Sequence, residues 1–361
     1  MLYETPPEEL GALLGGVARY RADQLKQWLY RDFVLETAAM TNLPLSLRDE
    51  LGPALWPFNV EVAQEGDGGR TRKWLFRAPD GASIESVLMG YADRVTLCVS
   101  SQAGCAMACT FCATGQFGFE RHLTPGEIVA QVAYANAHLK MQPMPRSPQR
   151  VTNVVFMGMG EPLANYPRVA ESLRRMIDVM DMAARSVTVS TVGVVPGIRR
   201  LAASPWQVGL AVSLHAADDE LRSSLVPLND RYPLAEVMAA CREYFERKGR
   251  RITIEWALMK GTNDSKDQAI KLAAIARDLG AHVNVINLNP TPLSHEQPTE
   301  RAAVASFMSA LEAAGANATL RATRGQDIDG ACGQLRSRGA EQPLTIATDS
   351  PIAPFRPTTL D

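Results

Sequence analysis

Four of the six cysteines fall within fifteen residues, as Cys98, Cys105, Cys109 and Cys112, while Cys241 and Cys332 lie far away. The stretch Cys105-Ala-Met-Ala-Cys109-Thr-Phe-Cys112 has the spacing C-x3-C-x2-C. Crowded thiolates repel one another unless something positive holds them, so the spacing points to metal. A structural zinc site closes with four ligands, and His122 is the one weak candidate nearby for a fourth. Three thiolates suit an iron–sulfur cube that leaves one iron open for a small-molecule ligand. A zinc knuckle, or cysteines merely buried in a core, is the competing reading. Cys332 sits in a glycine-rich stretch near Asp327 and Asp329, which is unlike a core position. Cys98 lies in an apolar run and reads as readily as a plain buried hydrophobe. Cys241, in Met238-Ala-Ala-Cys-Arg242, has a helical setting and no motif, and is taken as structural.

The elements that would position these residues follow from periodicity. Leu25, Trp28 and Leu29 mark an amphipathic helix near the N-terminus, and Leu45 to Leu51 a second. Phe58–Ala63 and Thr71–Phe76 alternate around Gly66-Asp-Gly-Gly69, a hairpin signal, and Ile84–Met89 is a further strand. From Val95 onward strands alternate with helices. Strands are expected at Val95–Val99, Val151–Met157, Ser186–Ser190, Val208–Ser213, Arg251–Leu258 and His282–Leu288, with Ala318–Arg321 as one more. Helices are expected near Pro125–His138, Tyr166–Met180, after Pro196, and near Pro233–Arg247, Lys266–Leu279 and Glu300–Ala314. That alternation predicts an α/β fold with a parallel sheet. Six βα units are too few for a closed eight-fold barrel, so the expectation is a partial (β/α)6 TIM-like barrel. A small N-terminal helical and β-hairpin accessory domain would precede it. The expected division is 1–80 for the accessory domain, 81–335 for the core with a reactive loop at its end, and 336–361 as a flexible tail.

Other chemistry-bearing strings then fall at strand ends. Gly158-Met-Gly-Glu-Pro162 follows one strand, Ser190 ends another, Ser213-Leu-His215 ends a third, and Asn289-Pro290 follows a fourth. The carboxyl ends of barrel strands form the active-site mouth, so four loops point at one place. Gly158 and Gly160 would let the backbone approach a ligand closely. Glu85 alternates with Ile84 and Val87 and, on pattern alone, reads as a solvated strand position.

Composition narrows the class. The 361 residues carry 37 Lys plus Arg against 39 Asp plus Glu, a net charge of −2, so the chain is not coated in positive charge. A chain of this length buries a core without disulfide staples. The start, MLYETPPEEL, has no apolar stretch of a secretory signal, and no apolar run is long enough to span a bilayer. A cytoplasmic protein is expected, with no membrane partner. Nucleic acid binding would then rest on local clusters: Arg70, Arg72 and Lys73; Arg247, Lys248, Arg250 and Arg251; Arg321 and Arg324.

The three-cysteine motif, with Phe111 before its last cysteine, resembles the radical S-adenosylmethionine (SAM) signature. The longer strings Leu97-Cys-Val-Ser-Ser-Gln-Ala-Gly-Cys105, Phe156-Met-Gly-Met-Gly-Glu-Pro-Leu163, Val212-Ser-Leu-His-Ala216 and Thr323-Arg-Gly-Gln-Asp-Ile-Asp-Gly-Ala-Cys-Gly-Gln-Leu335 occur in order. Together they resemble the RlmN-type RNA adenine methyltransferases from about Arg21 to Leu335. The resemblance implies a 4Fe–4S cluster on Cys105, Cys109 and Cys112, and SAM, two per turnover, held by Gly160, Glu161, Ser190, Ser213, Leu214, His215 and Asn289. His215 would act through its backbone. The implied targets are carbon 2 of adenosine 2503 in 23S rRNA, before full ribosome assembly, and adenosine 37 of tRNAs. That carbon is electrophilic and cannot attack a methyl sulfonium, hence a radical route. The resemblance further implies methylation of Cys332, hydrogen abstraction from that methyl group, addition to carbon 2, proton removal by Glu85, and attack of Cys98 on the Cys332 sulfur through a transient disulfide. Met157 would lie near both cysteines. A reducing electron donor such as flavodoxin and a monomeric state are implied as well. The rivals are a Cfr-type enzyme acting on carbon 8, for which Glu161-Pro162 and Thr323-Arg-Gly325 are the wrong strings, and a non-catalytic iron–sulfur RNA-binding or redox protein, for which Cys332 would be superfluous.

Overall fold

A computed structural model of the chain describes residues 1–14, 19–291 and 294–335. The expected tail over 336–361 lies outside the described residues. The strands are β1 (Asn59–Gly66), β2 (Thr71–Arg77), β3 (Ser83–Gly90), β4 (Val95–Cys98), β5 (Gln102–Gly104), β6 (Phe119–His122), β7 (Asn153–Phe156), β8 (Val187–Thr191), β9 (Gly209–Ser213), β10 (Thr253–Leu258), β11 (His282–Asn287) and β12 (Asn317–Leu320). The helices are α1 (Arg19–Gln27), α2 (Leu45–Leu51), α3 (Ala113–Gln116), α4 (Pro125–Met141), α5 (Tyr166–Arg174), α6 (Val195–Ala203), α7 (Asp219–Leu225), α8 (Leu234–Lys248), α9 (Lys266–Asp278) and α10 (Arg301–Ala313).

One sheet has the order β1-β2-β3-β4-β7-β8-β9-β10-β11-β12, and β5 pairs with β6 apart from it. From β4 to β12 every neighbouring pair is parallel. The hairpin β1–β2 and strand β3 join antiparallel, and β3 docks antiparallel on β4. The sheet does not close on itself among the described residues, so the barrel is partial, as the count of βα units predicts. The hairpin turn adopts positive φ at Asp67, Gly68 and Gly69, which suits the glycines of the predicted turn.

Burial explains the pattern. Parallel strands covered on both faces need continuous apolar runs, and β4, β8 and β9 are almost wholly buried. The outer helices bury one stripe each: Val237, Cys241 and Tyr244 on α8 lie in the core, which gives Cys241 a packing role. Helix α4 is buried nearly all round. Thr124 caps it, with Glu127 returning the bond to the Thr124 backbone. Trp74, Phe76, Tyr134 and His138 pack ring to ring there. Tyr3 and Trp56 stack beside them, so the N-terminal segment and the hairpin share one aromatic seam with α4.

Three local features depart from the sequence expectation. The helix predicted over Tyr166–Met180 is α-helical only to Arg174 and continues as a π-turn over Arg175–Val179. There the buried Arg175 guanidinium donates to the Tyr3 carbonyl at 2.6 Å. The short pair β5–β6 and the helices α3 and α7 carry too few residues to show a period. Of the basic clusters, Arg72, Lys73 and Lys248 are buried rather than solvated. Arg72 donates to Glu65 and to the Gln142 carbonyl, and Lys248 to the Ser204 carbonyl, so these side chains serve the fold. No helix among the described residues is long and apolar enough to cross a membrane.

Candidate active site

The three motif cysteines lie in the loop between β5 and β6. Gly104 opens it at φ +72°, and a Cβ there would meet the Gly118 carbonyl oxygen at 2.0 Å, so only glycine fits. Cys105 N donates to that same carbonyl at 2.8 Å, and Cys112 N to the Cys109 carbonyl at 3.2 Å. Burial pushes the Cys105 thiol up to about 12 and raises Cys109 well above the ordinary thiol range, and the neighbouring motif thiols add to both. Protonated thiols crowded in this way, all six cysteines being free of disulfides, become thiolates only when a positive group replaces their protons. His122, the candidate fourth ligand, has its Nδ1 hydrogen-bonded to Gln102 Nε2 at 3.0 Å. Among the described residues no group of three His, Cys, Asp or Glu closes to the shell of a single metal ion. Three thiols on one loop suit a multi-iron cluster, which can leave a corner open.

The predicted cofactor residues line the adjoining strand ends. Gly160 has φ +96° and packs on Gln102, whose Oε1 accepts from Glu161 N at 2.8 Å. The buried Glu161 carboxylate accepts from Leu163 N and Val192 N, each at 2.9 Å, and burial raises it to about 7. Ser190 and Ser213 hydroxyls lie 3.4 Å apart at the ends of β8 and β9. Leu214 is fully buried, and its N donates to the Glu255 carbonyl at 3.0 Å. His215 takes φ +63°. Its Nδ1 accepts from Ala257 N at 3.0 Å and its ring meets Phe111 edge-on at 4.6 Å. Burial lowers its imidazole to about 3, so the ring is neutral and its side chain is used in packing. Arg222, fully buried, donates to the Leu214 and Val192 carbonyls and so ties two of these loops together.

Cys98 and Cys332 line one cleft with Met157, Asn289, Arg321 and Tyr91. Burial holds the Cys98 thiol far above its ordinary range, Cys332 adds to this, and the Met157 backbone hydrogen-bonds to it. Cys332 is at the solvent-facing end. Desolvation raises its thiol, and the Arg321 guanidinium opposes the rise. The chain around Cys332 is stapled to its surroundings: Asn289 Nδ2 donates to the Cys332 carbonyl at 3.1 Å. Ala113 N donates to the Gly333 carbonyl at 2.8 Å, one residue past Cys112. The cluster loop and the Cys332 loop are thus physically joined. Asp67, at the hairpin tip, accepts from Gly325 N at 2.9 Å, and Asp327 accepts from Asp67 N at 3.0 Å, which latches the other end of the same loop.

Glu85 is not the solvated position that its alternation suggests. It is 4% exposed, because β3 lies between β2 and β4. Lys73 Nζ lies 3.1 Å from Glu85 Oε1 and 3.3 Å from the Asp329 carbonyl. One buried lysine therefore connects Glu85 to the Cys332 loop. Val87, on the same face two residues on, pairs across with Cys98. Sequence read Lys73 and Arg321 only as members of basic clusters, gave Gln102 no role within its string, and did not mark Arg222. Their roles rest on partners brought close by the fold, which no local pattern shows.

Comparison with known proteins identifies the family. The radical SAM superfamily pattern matches residues 99–273, and the ribosomal RNA large subunit methyltransferase N-terminal domain matches residues 11–54. A probable dual-specificity RNA methyltransferase RlmN of Salinispora tropica is 48% identical over 326 residues, covering 89% of this chain and 88% of its own. Another with that name, from Chloroflexus aurantiacus, is 46% identical and covers 97% of this chain and 96% of its own. The crystal structure of a radical SAM methyltransferase from Sphaerobacter thermophilus superposes with a TM-score of 0.88 at 47% identity, covering 93% of this chain and 99% of that one. The chain belongs to the RlmN family of radical SAM RNA methyltransferases, whose cofactors are a 4Fe–4S cluster and SAM.

Proposed function

We propose that this enzyme methylates carbon 2 of adenosine 2503 in 23S rRNA and of adenosine 37 in tRNAs, through a methylated Cys332. What supports the reading is the meeting of Cys98 and Cys332 in one cleft whose loop is bonded to the residue after Cys112. Cys105, Cys109 and Cys112 hold the cluster, and Gly160, Glu161, Ser190, Ser213, Leu214, His215 and Asn289 surround SAM. When bound, these groups supply the methyl group and the radical chemistry that an electrophilic carbon requires. Two SAM molecules are consumed per turnover.

The chain's own residues do the rest. Cys332 Sγ carries the methyl carbon that becomes bonded to carbon 2. Its loop is held at both ends, by Asp67 on one side and by Ala113 and Asn289 on the other, so the sulfur is presented in a fixed place. Glu85 takes the carbon-2 proton, with Lys73 Nζ 3.1 Å from its Oε1 to position it. Cys98 Sγ attacks Cys332 Sγ, the carbon–sulfur bond breaks with its electron pair and the Cys98 proton passing to the methylene carbon, and the base leaves with a methyl group as a Cys98–Cys332 disulfide forms. Burial keeps Cys98 protonated until then, so it does not attack early. An external thiol reduces the disulfide, and an electron donor of the flavodoxin type serves the cluster in the cytoplasm. The segment 1–80 grips the RNA as an accessory domain of a monomeric enzyme.

Mass spectrometry of adenosines from rRNA and tRNA of a deletion strain tests the target. Loss of 2-methyladenosine from both is expected, and loss of the 8-methyl isomer instead would overturn the assignment. Cys98→Ala should accumulate a covalent RNA adduct that Cys332→Ala does not form.

A further inference from the structure

The cleft that holds the two thiols has a basic rim built around one aromatic ring. Tyr91 begins the turn between β3 and β4, and its N donates to the Arg94 carbonyl at 2.8 Å, which closes the turn. The Arg94 guanidinium carbon lies 4.1 Å from the centre of the Tyr91 ring. The Arg324 guanidinium carbon lies 5.1 Å from the same centre, reaching it from the Cys332 loop. Tyr91 and Arg324 line the cleft together with Cys98 and Cys332. The ring therefore gathers two cations from two separate elements at the entrance to the thiols.

Like charges brought onto one ring repel, and the ring's electron-rich face repays only part of that, about 1 kcal/mol for each exposed contact. The arrangement becomes favourable when an anion shares the two guanidiniums. A guanidinium lying flat on an aromatic face keeps its N–H edge free for a phosphate, and that edge matches two phosphate oxygens at once. Asp93, Asp67 and Asp327 do not satisfy this need. Asp93 pairs with Arg94 at 3.1 Å but is three-quarters exposed, a weak bond in water. Asp67 and Asp327 are engaged by backbone N–H groups of the hairpin and the loop. The corner is more basic still. Gly90 N donates to the carbonyl of exposed Arg70, and a Cβ on Gly90 would touch Ser147, so the segment carrying exposed Arg146 packs here too. In a chain of net charge −2 such a concentration is local.

We propose that Tyr91, Arg94 and Arg324 form a phosphate clamp for the RNA strand on either side of the target adenosine. The inference rests on the RNA-methylating reading of the cleft and adds the residues that recognise the backbone. A base inside folded RNA must be extruded to reach Cys332. Its two flanking phosphates then stay outside at the rim, where this ring and its cations stand. The clamp reads charge and backbone, leaving base choice to the cleft within.

The test uses the full reconstituted enzyme and an end-labelled RNA hairpin with an unpaired adenosine in its loop. Binding is followed by fluorescence anisotropy over a range of salt. Arg94→Met and Arg324→Met are each expected to weaken binding about tenfold, the value of one charged hydrogen bond. The double variant should lower the log–log salt slope by about 1.4, or ~0.7 per phosphate contact on a single strand. Tyr91→Leu should weaken binding, and Tyr91→Phe should restore it. Iron content after anaerobic reconstitution and the urea midpoint should stay unchanged in all of them, which shows that the fold and cluster site survive. Arg199→Met, at a distant surface pair with Glu243, should leave the slope unchanged. A double variant with wild-type affinity and slope overturns the clamp. A wild-type enzyme that binds the hairpin with the full slope but yields no 2-methyladenosine overturns the carbon-2 assignment instead, and the salt slopes still decide the clamp.

Discussion

Replacing Lys73 by Met tests how much one buried cation contributes to holding Glu85 as a carboxylate. The two side chains are 8% and 5% exposed and 3.1 Å apart, so water screens them little. Met keeps most of the lysine stem and removes only the charge. With that cation gone, the buried carboxylate either stays ionised at a cost or takes up a proton. Breaking a buried pair from one side costs about 3–5 kcal/mol. Protonation sets a ceiling that can be worked out: at pH 7 a glutamate of ordinary pKa ~4.3 lies roughly 2.7 units above its midpoint, and at 1.36 kcal/mol per unit neutralising it costs about 3.7 kcal/mol. The ceiling falls within that range, so Lys73→Met should lose up to about 3.7 kcal/mol at pH 7.

The sign with pH follows from the protonation route. A carboxyl raised in the folded variant binds a proton that the unfolded chain releases above pH ~4.3, so the penalty grows as pH rises. At pH 5 the ceiling falls to about 1 kcal/mol. Urea unfolding of wild type and Lys73→Met at pH 7 and pH 5 measures the difference, and Lys73→Met/Glu85→Gln should regain most of the loss at pH 7. Lys73→Met alone should cleave SAM while its RNA turnover recovers only as pH is raised, because the proton acceptor has become a neutral acid. Equal destabilisation at both pH values, or no rescue by Glu85→Gln, refutes the reasoning.

Other expectations follow from the packing. His138 lies between Trp74 and Tyr134, and burial lowers it to about 4; the unfolded chain protonates near 6.5, so its stability contribution is lost as pH falls from 6.5 toward 4, by about 3 kcal/mol, and His138→Gln should flatten that part of the urea-midpoint profile. Gly104→Ala places a Cβ against the Gly118 carbonyl at positive φ, whereas Gly118→Ala meets open space; only the former should cut iron content after anaerobic reconstitution severely, with both paying about 1–2 kcal/mol for the backbone. Asp67→Ala removes the acceptor of Gly325 N and of the Thr71 hydroxyl; unfolding should shift by about 1 kcal/mol, and Cys332 should be alkylated several-fold faster in a timed iodoacetamide assay, an unchanged rate showing that the hairpin does not restrain the loop.

What the sequence made legible was what is local. The strands of the barrel announce themselves because a parallel strand is apolar on both faces, and β12 was visible within a residue of its place. The cysteine spacing and the strings around Gly160 and Cys332 sit within single loops, so their chemistry was readable without the fold. The four strings in order were enough to find the family. The short pair β5–β6 was hidden because its register depends on Gly104 meeting Gly118 across the cluster loop, a contact with no periodicity.

The charged residues of the hairpin failed for a more instructive reason. Lys73 read as part of a basic surface cluster and Glu85 as a solvated strand position, and both are buried. Each was judged alone, by the rule that isolated charges lie on the surface. The neighbouring pattern argues otherwise. In β2, Lys73 is followed by Trp74, Leu75 and Phe76, and in β3 Glu85 is preceded by Ile84 and followed closely by Val87 and Leu88. Strands so apolar on consecutive positions are covered on both faces, and a charge within one has no route to water. A buried charge demands a partner of opposite sign, and two adjacent antiparallel strands that each contain one such charge supply each other's. Pairing Leu75 with Glu85 sets Lys73 diagonally across, within reach of a long side chain. The ion pair beside the candidate catalytic thiols was thus implied by the two strands together, while neither strand implied it by itself.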